Sequence, residues 1–319
     1  MRDHRLLFAA AAAALMAASA PAAAVDLPCS VAKLIVPWAA GGDTDIINRA
    51  IAEAVNKSGA KPQLQVVNAP GQGGNKGAKD AKDEKPDGCT LLALHESAII
   101  NYIVKRVDFH WDAFEPIALM SYTPSIVGVS KEAPFNNVKE MVDYAKKAPN
   151  TITTGVTLAS TSQFEFLLIE DTMGIKLKYV PYEGTRQRIT ALLANNIMMA
   201  EMNIITAKEY LADKSLKALG ILTDKRDPIL PDLPTFKEQG CDVVYGVSRG
   251  ILAPKGTKPE IIAHWNEAFA KAAKDPAFVK ILQSQGTEVR YLDPKGYSAY
   301  LAERFERHQK AAANLGIGK

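Results

Sequence analysis

The fold can be inferred first from the run Lys33-Leu34-Ile35-Val36-Pro37-Trp38-Ala39-Ala40-Gly41-Gly42-Asp43-Thr44-Asp45. Its first four residues predict a buried strand, which Pro37 ends because proline has no N–H to donate to a sheet. Two glycines then form a loop, and a helix follows whose apolar residues recur at the 3.6-residue period, namely Ile46, Ile47, Ala50, Ile51, Ala54 and Val55. A strand, a glycine loop and a helix in this order predict the start of a βαβ unit.

The same alternation continues along the chain. Further strands are predicted at 64–67, 90–94, 125–129, 151–155, 178–180 and 218–222, and helices at 77–82, 138–147, 163–173, 186–194, 259–274, 276–285 and 296–313. This order favours the α/β class, with mainly parallel sheets flanked by helices on both faces. Because a domain usually has ~100–200 residues, a chain of 319 residues with this pattern predicts two domains connected through strands.

The N-terminus has the pattern of a secretory signal peptide. Arg2 and Arg5 precede an apolar run over 6–18, and Ala22-Ala23-Ala24 supplies the small residues of a cleavage site. The run is too short to span about 30 Å of hydrocarbon as a helix. An uncleaved amphipathic helix would need a polar face, which the run lacks. We therefore expect residues 1–24 to be a signal peptide, cleaved near Ala24, and the mature protein to lie in the periplasm.

Composition excludes several classes of protein. The chain has 38 Lys and Arg against 35 Asp and Glu, a formal net charge of +3. That balance is too even for a nucleic-acid binder, whose affinity depends on clustered basic residues. Hydrophobic residues make up 47% of the chain, which is enough for a sizeable core and argues against disorder. No apolar run beyond the N-terminus is long enough to predict a membrane span.

The three cysteines predict one disulfide and one free thiol, because an exported protein meets an oxidising compartment. Their spacing matches neither a zinc site nor a redox motif. Cys29 and Cys89 each lie just before a predicted strand. If those strands are parallel neighbours, the two cysteines come to the same sheet edge, so we favour a Cys29–Cys89 bridge with Cys241 free.

Three loops could hold an anion. Each follows a strand and opens a helix, at 37–45, 68–75 and 159–162. Their glycines and hydroxyls bring donors close to a ligand, and the helix N-terminus adds its positive dipole end. Loops of this kind at the carboxyl ends of strands suit a carboxylate or phosphate. For Asp43, Thr44 and Asp45, helix capping is the simpler alternative to ligand contact.

Two short motifs are incomplete. Gly71-Gln72-Gly73-Gly74-Asn75-Lys76 ends in lysine where the dinucleotide fingerprint needs a glycine, and His95-Glu96-Ser97-Ala98-Ile99 has isoleucine where a zinc helix needs its second histidine. One histidine cannot hold a catalytic zinc ion. We therefore expect no cofactor and no metal.

A third motif, Gly246-Val247-Ser248-Arg249-Gly250, matches the G-x-S-x-G pattern of serine hydrolases. A nucleophile elbow needs a helix after the serine, whereas Ile251-Leu252-Ala253-Pro254 predicts a strand that ends at the proline. The candidate bases His264 and His308 fall within long amphipathic helices. A secreted esterase using Ser248 is the competing hypothesis, and a strand crossing between the two domains is the favoured one for this segment.

Six motifs in order resemble those of one family. They are V-P-W-A-A-G-G-D-T-D at 36–45, N-A-P-G-Q-G-G-N-K-G at 68–77, P-D-G-C-T-L-L at 86–92, V-P-Y-E-G at 180–184, L-P-D-L-P-T at 230–235 and L-A-P-K-G-T at 252–257. Together they resemble the substrate-binding proteins of tripartite tricarboxylate transporters, also called Bug receptors, over essentially the whole mature chain. Each motif alone is weak evidence, and their shared order is strong evidence.

The resemblance implies a two-domain periplasmic binding protein of type II, a Venus flytrap. Domain 1 would comprise 25–124 and 247–319, and domain 2 would comprise 125–246. The protein would be a non-enzymatic and monomeric receptor that captures a small organic carboxylate and delivers it to the membrane permease of a tripartite tricarboxylate transporter. The ligand-binding residues that the resemblance implies are Trp38, Ala39, Gly41, Gly42, Thr44, Gly73, Gly74, Asn75, His95, Ser97, Ser160, Thr161, Ser162 and Tyr182.

Some residues depart from the family pattern. Glu183 replaces the usual basic residue after Tyr182, and Ala159 and Gln163 replace a glycine and a histidine around the third loop. Arg249 could grip a second carboxylate bidentately, with a surface salt bridge as the alternative. Glu183, Glu201 and Asn203 could favour a ligand with an amine or a hydroxyl. A receptor that serves a membrane sensor kinase is the alternative to transport.

Overall fold

The computed structural model describes residues 25–182 and 184–314. The predicted signal peptide and Glu183 lie outside the described residues. Within them, no helix is long and apolar enough to cross a membrane.

The strands, in chain order, are β1 (Val31–Val36), β2 (Gln63–Asn68), β3 (Thr90–Leu94), β4 (Phe114–Pro124), β5 (Ile126–Ser130), β6 (Thr153–Val156), β7 (Lys178–Pro181), β8 (Met199–Met202), β9 (Leu216–Ile221), β10 (Gly246–Pro254) and β11 (Glu288–Leu292). The α-helices are α1 (Asp43–Lys57), α2 (Asn75–Lys82), α3 (Ser97–Ile103), α4 (Val138–Lys147), α5 (Thr161–Met173), α6 (Thr185–Leu193), α7 (Ile204–Ala212), α8 (Pro259–Ala273), α9 (Pro276–Ser284) and α10 (Pro294–Asn314). The predicted elements recur within a few residues, whereas α3, α7, β8, β11 and most of β4 were not predicted.

The strands form two sheets, in the orders β11-β4-β10-β3-β1-β2 and β7-β6-β8-β5-β9. β1 runs parallel to β2 and β3, and β6 runs parallel to β7 and β8. The remaining pairings, which involve β4, β5 and β10, are antiparallel. The predicted α/β architecture of two helix-flanked sheets is present, and both sheets are mixed rather than mainly parallel, because each contains strands that connect the two halves of the chain.

The chain passes between the sheets at two adjacent places. β4 lies in the first sheet and β5 in the second, with Ser125 between them. On the return, β10 begins at Gly246, which pairs with Pro124, and continues along β4 as far as the pair Pro254 and Phe114. These two crossings are where we place the hinge between the lobes, and the lobe boundaries given above remain a proposal.

The core is built on both faces of the first sheet. Leu34 and Val36 pack with Trp265 and Phe269 of α8, whereas Ile35 between them belongs to the core on the opposite face. Alternate residues of a strand point to opposite faces, so a strand covered on both sides is apolar throughout. β3 is likewise buried at every residue.

The predicted disulfide is present. Cys29 and Cys89 are bonded, with their Cα atoms 6.0 Å apart, and Cys241 is free and buried. β1 and β3 are parallel neighbours, and the Lys33 N–H donates to the Cys89 carbonyl at 2.9 Å. The two cysteines thus lie together at the N-terminal ends of these neighbouring strands, as the strand pattern predicted.

Candidate ligand-binding cleft

The first glycine loop, between β1 and α1, is held in place by hydrogen bonds to Asp45. Its carboxylate accepts hydrogen bonds from the Gly41 N–H at 2.9 Å, from Arg49 Nε at 3.0 Å and from Asn68 Nδ2 at 2.8 Å. Burial alone would raise the pKa of Asp45, but these donors outweigh it and lower that pKa. Asp45 therefore fixes the loop, and the loop presents the exposed backbone of Ala39, Gly41 and Gly42.

Trp38 joins the first loop to the second. Its ring stacks on His95, with centroids 3.8 Å apart and planes inclined by 21°. Gly74 also lies against the indole, because a Cβ at that position would stand 2.9 Å from Trp38 Cζ2. Trp38, Gly74 and His95 are thus brought together, and the indole that the sequence suggested for ligand contact also acts as a packing element between the loops.

His95 is a neutral hydrogen-bond donor. It is buried, and the Ser97 N–H donates to its Nδ1 at 3.3 Å, which leaves the ring proton on Nε2. Burial, and then the nearby charge of Arg249, hold the pKa of His95 well below its usual value. Ser97 and Asn75 are also buried here, and Asn101 binds this region together by donating to the carbonyls of Ser97 and Gly73.

Arg249 lies on β10 with 4% of its surface exposed. Its Nε donates to Thr44 Oγ1 at 3.1 Å and its Nη1 to Thr123 Oγ1 at 2.7 Å. Burial lowers the pKa of Arg249, while Asp43, Glu96 and Glu201 oppose that shift. The surface salt bridge considered from the sequence was wrong, because Arg249 is buried and has no ion-pair partner within 4.0 Å among the described residues. Its Nη2 makes no bond to the described residues, so it can still bind a ligand.

The third loop uses its hydroxyls internally. Ser160 Oγ donates to the Thr157 carbonyl at 2.8 Å, and Ser162 Oγ accepts from the Thr157 N–H at 3.0 Å. Ala159 has a positive φ of 56°, and its N–H donates to Gln163 Oε1, which explains the glutamine there. What Thr161 and Ser162 can offer an anion is the N-terminus of α5, with its positive dipole end.

Arg188 on α6 was missed by the sequence analysis. It is 3% exposed, and its Nη2 pairs with Glu201 Oε2 of β8 at 2.6 Å while its Nη1 donates to Thr157 Oγ1 at 3.0 Å. Burial raises the pKa of Glu201, and Arg188 opposes that shift. The sequence carries no local signal for this pair, because Arg188 and Glu201 lie on different elements that only the folded chain brings together.

Asn203 and Tyr182 complete the side formed by the second sheet. Asn203 caps α7, since its Oδ1 accepts from the Thr206 N–H at 2.8 Å, and its Nδ2 donates to Asp43 Oδ2 of α1 at 3.1 Å. Asn203 thus connects the helices beside the two sheets. The Tyr182 ring packs over Gly155 of β6, where a Cβ would lie 3.4 Å from it. Among the predicted residues, Trp38, Gly74 and His95 contact one another, Arg249 binds Thr44, and the bond from Asn203 to Asp43 links the two halves of the structure. Glu183 is outside the described residues.

Several known proteins resemble this chain over most of its length. Residues 47–317 match the family described as tripartite tricarboxylate transporter family receptor. The chain belongs to this family. A relative in Cupriavidus necator, the UPF0065 protein in the gbd 5' region, is 30% identical over 98% of this chain and 96% of its own.

Solved structures support the same assignment for this tricarboxylate-transporter receptor. The periplasmic binding protein BugD superposes with a TM-score of 0.80 at 26% identity, over 90% of this chain and 98% of its own. The Rhodopseudomonas palustris protein Rpa4515, solved with adipate, gives a TM-score of 0.82 at 26% identity, over 92% and 99% of the two chains. The two-domain binding-protein fold predicted from the sequence is thereby confirmed.

In this receptor Ser248 does not have the surroundings of a nucleophile. It lies inside β10, so no helix follows it as a nucleophile elbow requires. Its hydroxyl bonds to the Tyr300 hydroxyl at 2.5 Å, and its N–H donates to the Glu96 carboxylate. His308 instead contacts the Tyr245 hydroxyl at 3.0 Å and the Arg304 carbonyl at 2.7 Å. Ser248 is therefore part of a hydrogen-bonded cluster with Glu96 and Tyr300.

Proposed function

We propose that this protein is a periplasmic receptor that captures a small organic carboxylate between two lobes and delivers it to the membrane permease of a tripartite tricarboxylate transporter. The observation that carries the proposal is a pair of buried arginines, one beside each sheet. Arg249 comes from β10 and Arg188 from α6, and Glu201 lies near enough to both that each opposes the rise in pKa which burial imposes on Glu201. The two guanidinium groups therefore belong to one interface.

The donors around these arginines suit carboxylate groups. A buried carboxylate must recover the hydrogen bonds that it loses on leaving water, and bonds from charged donors are the strongest ones available. Arg249 keeps Nη2 free, and Arg188 Nε is buried without a partner among the described residues. The neutral His95 and the N-terminus of α5 supply further donors. A dicarboxylate, such as the adipate bound to Rpa4515, could engage both arginines.

Closure of the two lobes would distinguish the ligand-bound receptor from the empty one. The bond from Asn203 to Asp43 and the bond from Arg106 Nη1 to the Leu158 carbonyl at 3.4 Å both join parts assigned to different lobes. A ligand that bridges Arg249 and Arg188 would add contacts that exist only when the lobes are together. Such a ligand shifts the open–closed equilibrium by its differential affinity for the two states, and the closed form would be the one that docks on the permease.

Thermal unfolding of the mature protein with a panel of mono-, di- and tricarboxylates and amino acids tests this function. A ligand at about 100 times its Kd should add about 2.7 kcal/mol of stability. Arg249→Ala should weaken dicarboxylates ten- to a hundredfold, and monocarboxylates less. Arg226→Ala, which removes an exposed arginine paired with Glu238, is the matched control and should change nothing. No stabilisation by any organic anion would refute the proposal.

Delivery needs its own measurement. Uptake of the ligand identified in that panel, by membrane vesicles that contain the permease, should depend on the added receptor. Vesicles that take up the ligand equally without the receptor would refute the transport role and leave capture intact.

A further inference from the structure

A groove of about 1010 Å³ lies between α2, the turn that follows α3 and the C-terminal end of α10. Its charged lining residues are Lys79, Lys82, Lys105, Arg106 and Asp108, and we call it the basic groove. Four cations against one carboxylate give it a positive field. None of the residues proposed above for carboxylate binding lines it, so it is a separate surface of the molecule.

The turn after α3 projects two of these cations. The Lys105 N–H donates to the Tyr102 carbonyl and the Arg106 N–H to the Asn101 carbonyl, both at 2.9 Å, and Lys105 has a φ of 58°, which together form a Schellman motif. Both side chains are exposed, and neither has an ion-pair partner within 4.0 Å among the described residues. Lys79 and Lys82, in contrast, share the carboxylate of Asp83. Lys105 and Arg106 are therefore the cations available to a partner.

The walls of the basic groove are held by contacts between the two lobes. Arg106 Nη1 donates to the carbonyl of Leu158, which follows β6 in the second half of the molecule. At the end of α10, Asn314 Nδ2 donates to Asp171 Oδ2 of α5 at 3.3 Å. Separation of the lobes would break these bonds and change the shape of the groove. A partner bound there would consequently distinguish the closed receptor from the open one.

The lining of the groove suits a protein segment. Small-molecule sites are mostly apolar and bury most of their ligand, whereas the cations here are exposed and would leave a small anion in water. A flat lipid surface cannot follow a concave groove. Tyr102 and Phe109 are half-buried in the lining, and Lys82 lies 5.6 Å from the centre of the Phe109 ring. Aromatic residues and arginine are typical of protein interfaces, and carboxylates would complement the positive field.

We propose that an acidic segment of the membrane permease docks in the basic groove, with its carboxylates on Lys105 and Arg106. This inference rests on the proposed transport function and identifies the surface that the permease contacts. Because Arg106 also bonds to Leu158 across the lobes, the docked segment binds the closed form more tightly than the open one and stabilises it.

Sedimentation with lipid vesicles tests the proposal. The mature protein is mixed with vesicles of phosphatidylethanolamine and phosphatidylglycerol, prepared with and without the reconstituted permease. We expect binding only to the permease vesicles, and weaker binding at higher salt because exposed charges are screened. Lys105→Glu should weaken this binding by about tenfold or more, and Lys105→Gln should weaken it less.

Lys214→Glu is the matched control. Lys214 follows α7 in the same kind of turn, with a φ of 58° and an N–H that donates to the Leu211 carbonyl, and it is exposed outside the groove. This variant should bind the permease vesicles like the unmodified protein. Lys105→Gly separates docking from folding: glycine is favoured at a positive φ, so the variant should be at least as stable in guanidinium unfolding and should still bind more weakly.

Three results would overturn the docking surface. Equal binding of Lys105→Glu and the unmodified protein would place the permease contact elsewhere, and receptor-dependent uptake would then leave the transport function standing. Equal binding to vesicles without the permease would assign the surface to lipid. Absence of binding to the permease vesicles would exclude the acidic segment, and together with uptake that does not need the receptor it would overturn the transport function as well.

Discussion

Replacing Gly74 by alanine tests how the two glycine loops depend on Trp38. The new Cβ would stand 2.9 Å from Cζ2 and 3.3 Å from Cε2 of the indole, at a φ of +96° that L side chains rarely adopt. The backbone conformation should cost ~1–2 kcal/mol and the overpacking a further ~1–3 kcal/mol. We therefore expect Gly74→Ala to lower the free energy of unfolding by about 2–5 kcal/mol.

Gly73→Ala is the matched control. Gly73 also has a positive φ, of 64°, but the nearest atom to its added Cβ is Asn101 Nδ2 at 3.6 Å, an ordinary contact. Only the backbone cost of ~1–2 kcal/mol should appear in this variant. The difference between the two variants thus isolates the clash with the indole ring.

Guanidinium unfolding followed by far-ultraviolet circular dichroism measures both variants, and calorimetry measures their ligand affinity. Gly74→Ala should be less stable than Gly73→Ala by ~1–3 kcal/mol, and it should lose more affinity because Trp38 must leave its stack on His95. Equal stability of the two variants would show that the indole moves aside at no cost, and would refute the view that His95 holds it.

Other predictions follow from single contacts. Replacing both Cys29 and Cys89 by serine opens a loop of sequence separation 60 and should lower the free energy of unfolding by about 4 kcal/mol in the same assay. An unchanged free energy of unfolding would contradict the disulfide. Burial lowers the pKa of His308 from 6.5 to about 3, so the unfolded chain takes up a proton first as the pH falls. Stability should therefore fall by up to about 1.4 kcal/mol per pH unit below 6.5, and His308→Gln should flatten that slope. Burial and the nearby Glu201 raise the pKa of Glu165 well above its usual 4.5, so the free energy of unfolding should decrease as the pH rises above 4.5. Glu165→Gln should remove this decrease, and an unchanged dependence of stability on pH would contradict the prediction. Ser248→Ala should leave hydrolysis of nitrophenyl esters at the background of the unmodified protein, and a turnover that disappears with the hydroxyl would revive the esterase hypothesis.

Local patterns predicted those parts of the fold that depend on neighbouring residues. The loop before α1 was found because a buried strand, two glycines and a helix lie in succession, and the Cys29–Cys89 bridge was found because both cysteines precede strands. The direction of strand pairing was not predictable in this way. β10 pairs with β4 across more than a hundred residues of sequence, and its antiparallel direction follows from the chain's return between the sheets.

The site shows the same division between local and distant signals. Trp38, His95 and Ser160 were proposed from motifs that lie within a few residues of a strand end. Arg188 was not proposed, because in a helical pattern it resembles any exposed cation. Its role depends on Glu201, which belongs to β8, a strand that the sequence analysis did not predict. Buried ion pairs of this kind become visible only when both elements have been placed.

The interface contains two classes of polar group, and the distinction bears on what it binds. Asp45, Ser160 and Ser162 have their main hydrogen bonds within the protein, so they shape the loops and have little left for a ligand. Arg249 and Arg188 each keep a donor that the described residues leave unfilled. Because burying such groups unpaired is costly, a ligand that satisfies both would gain more on closure than one that satisfies either arginine alone. Affinity in this receptor should therefore depend on both guanidinium groups.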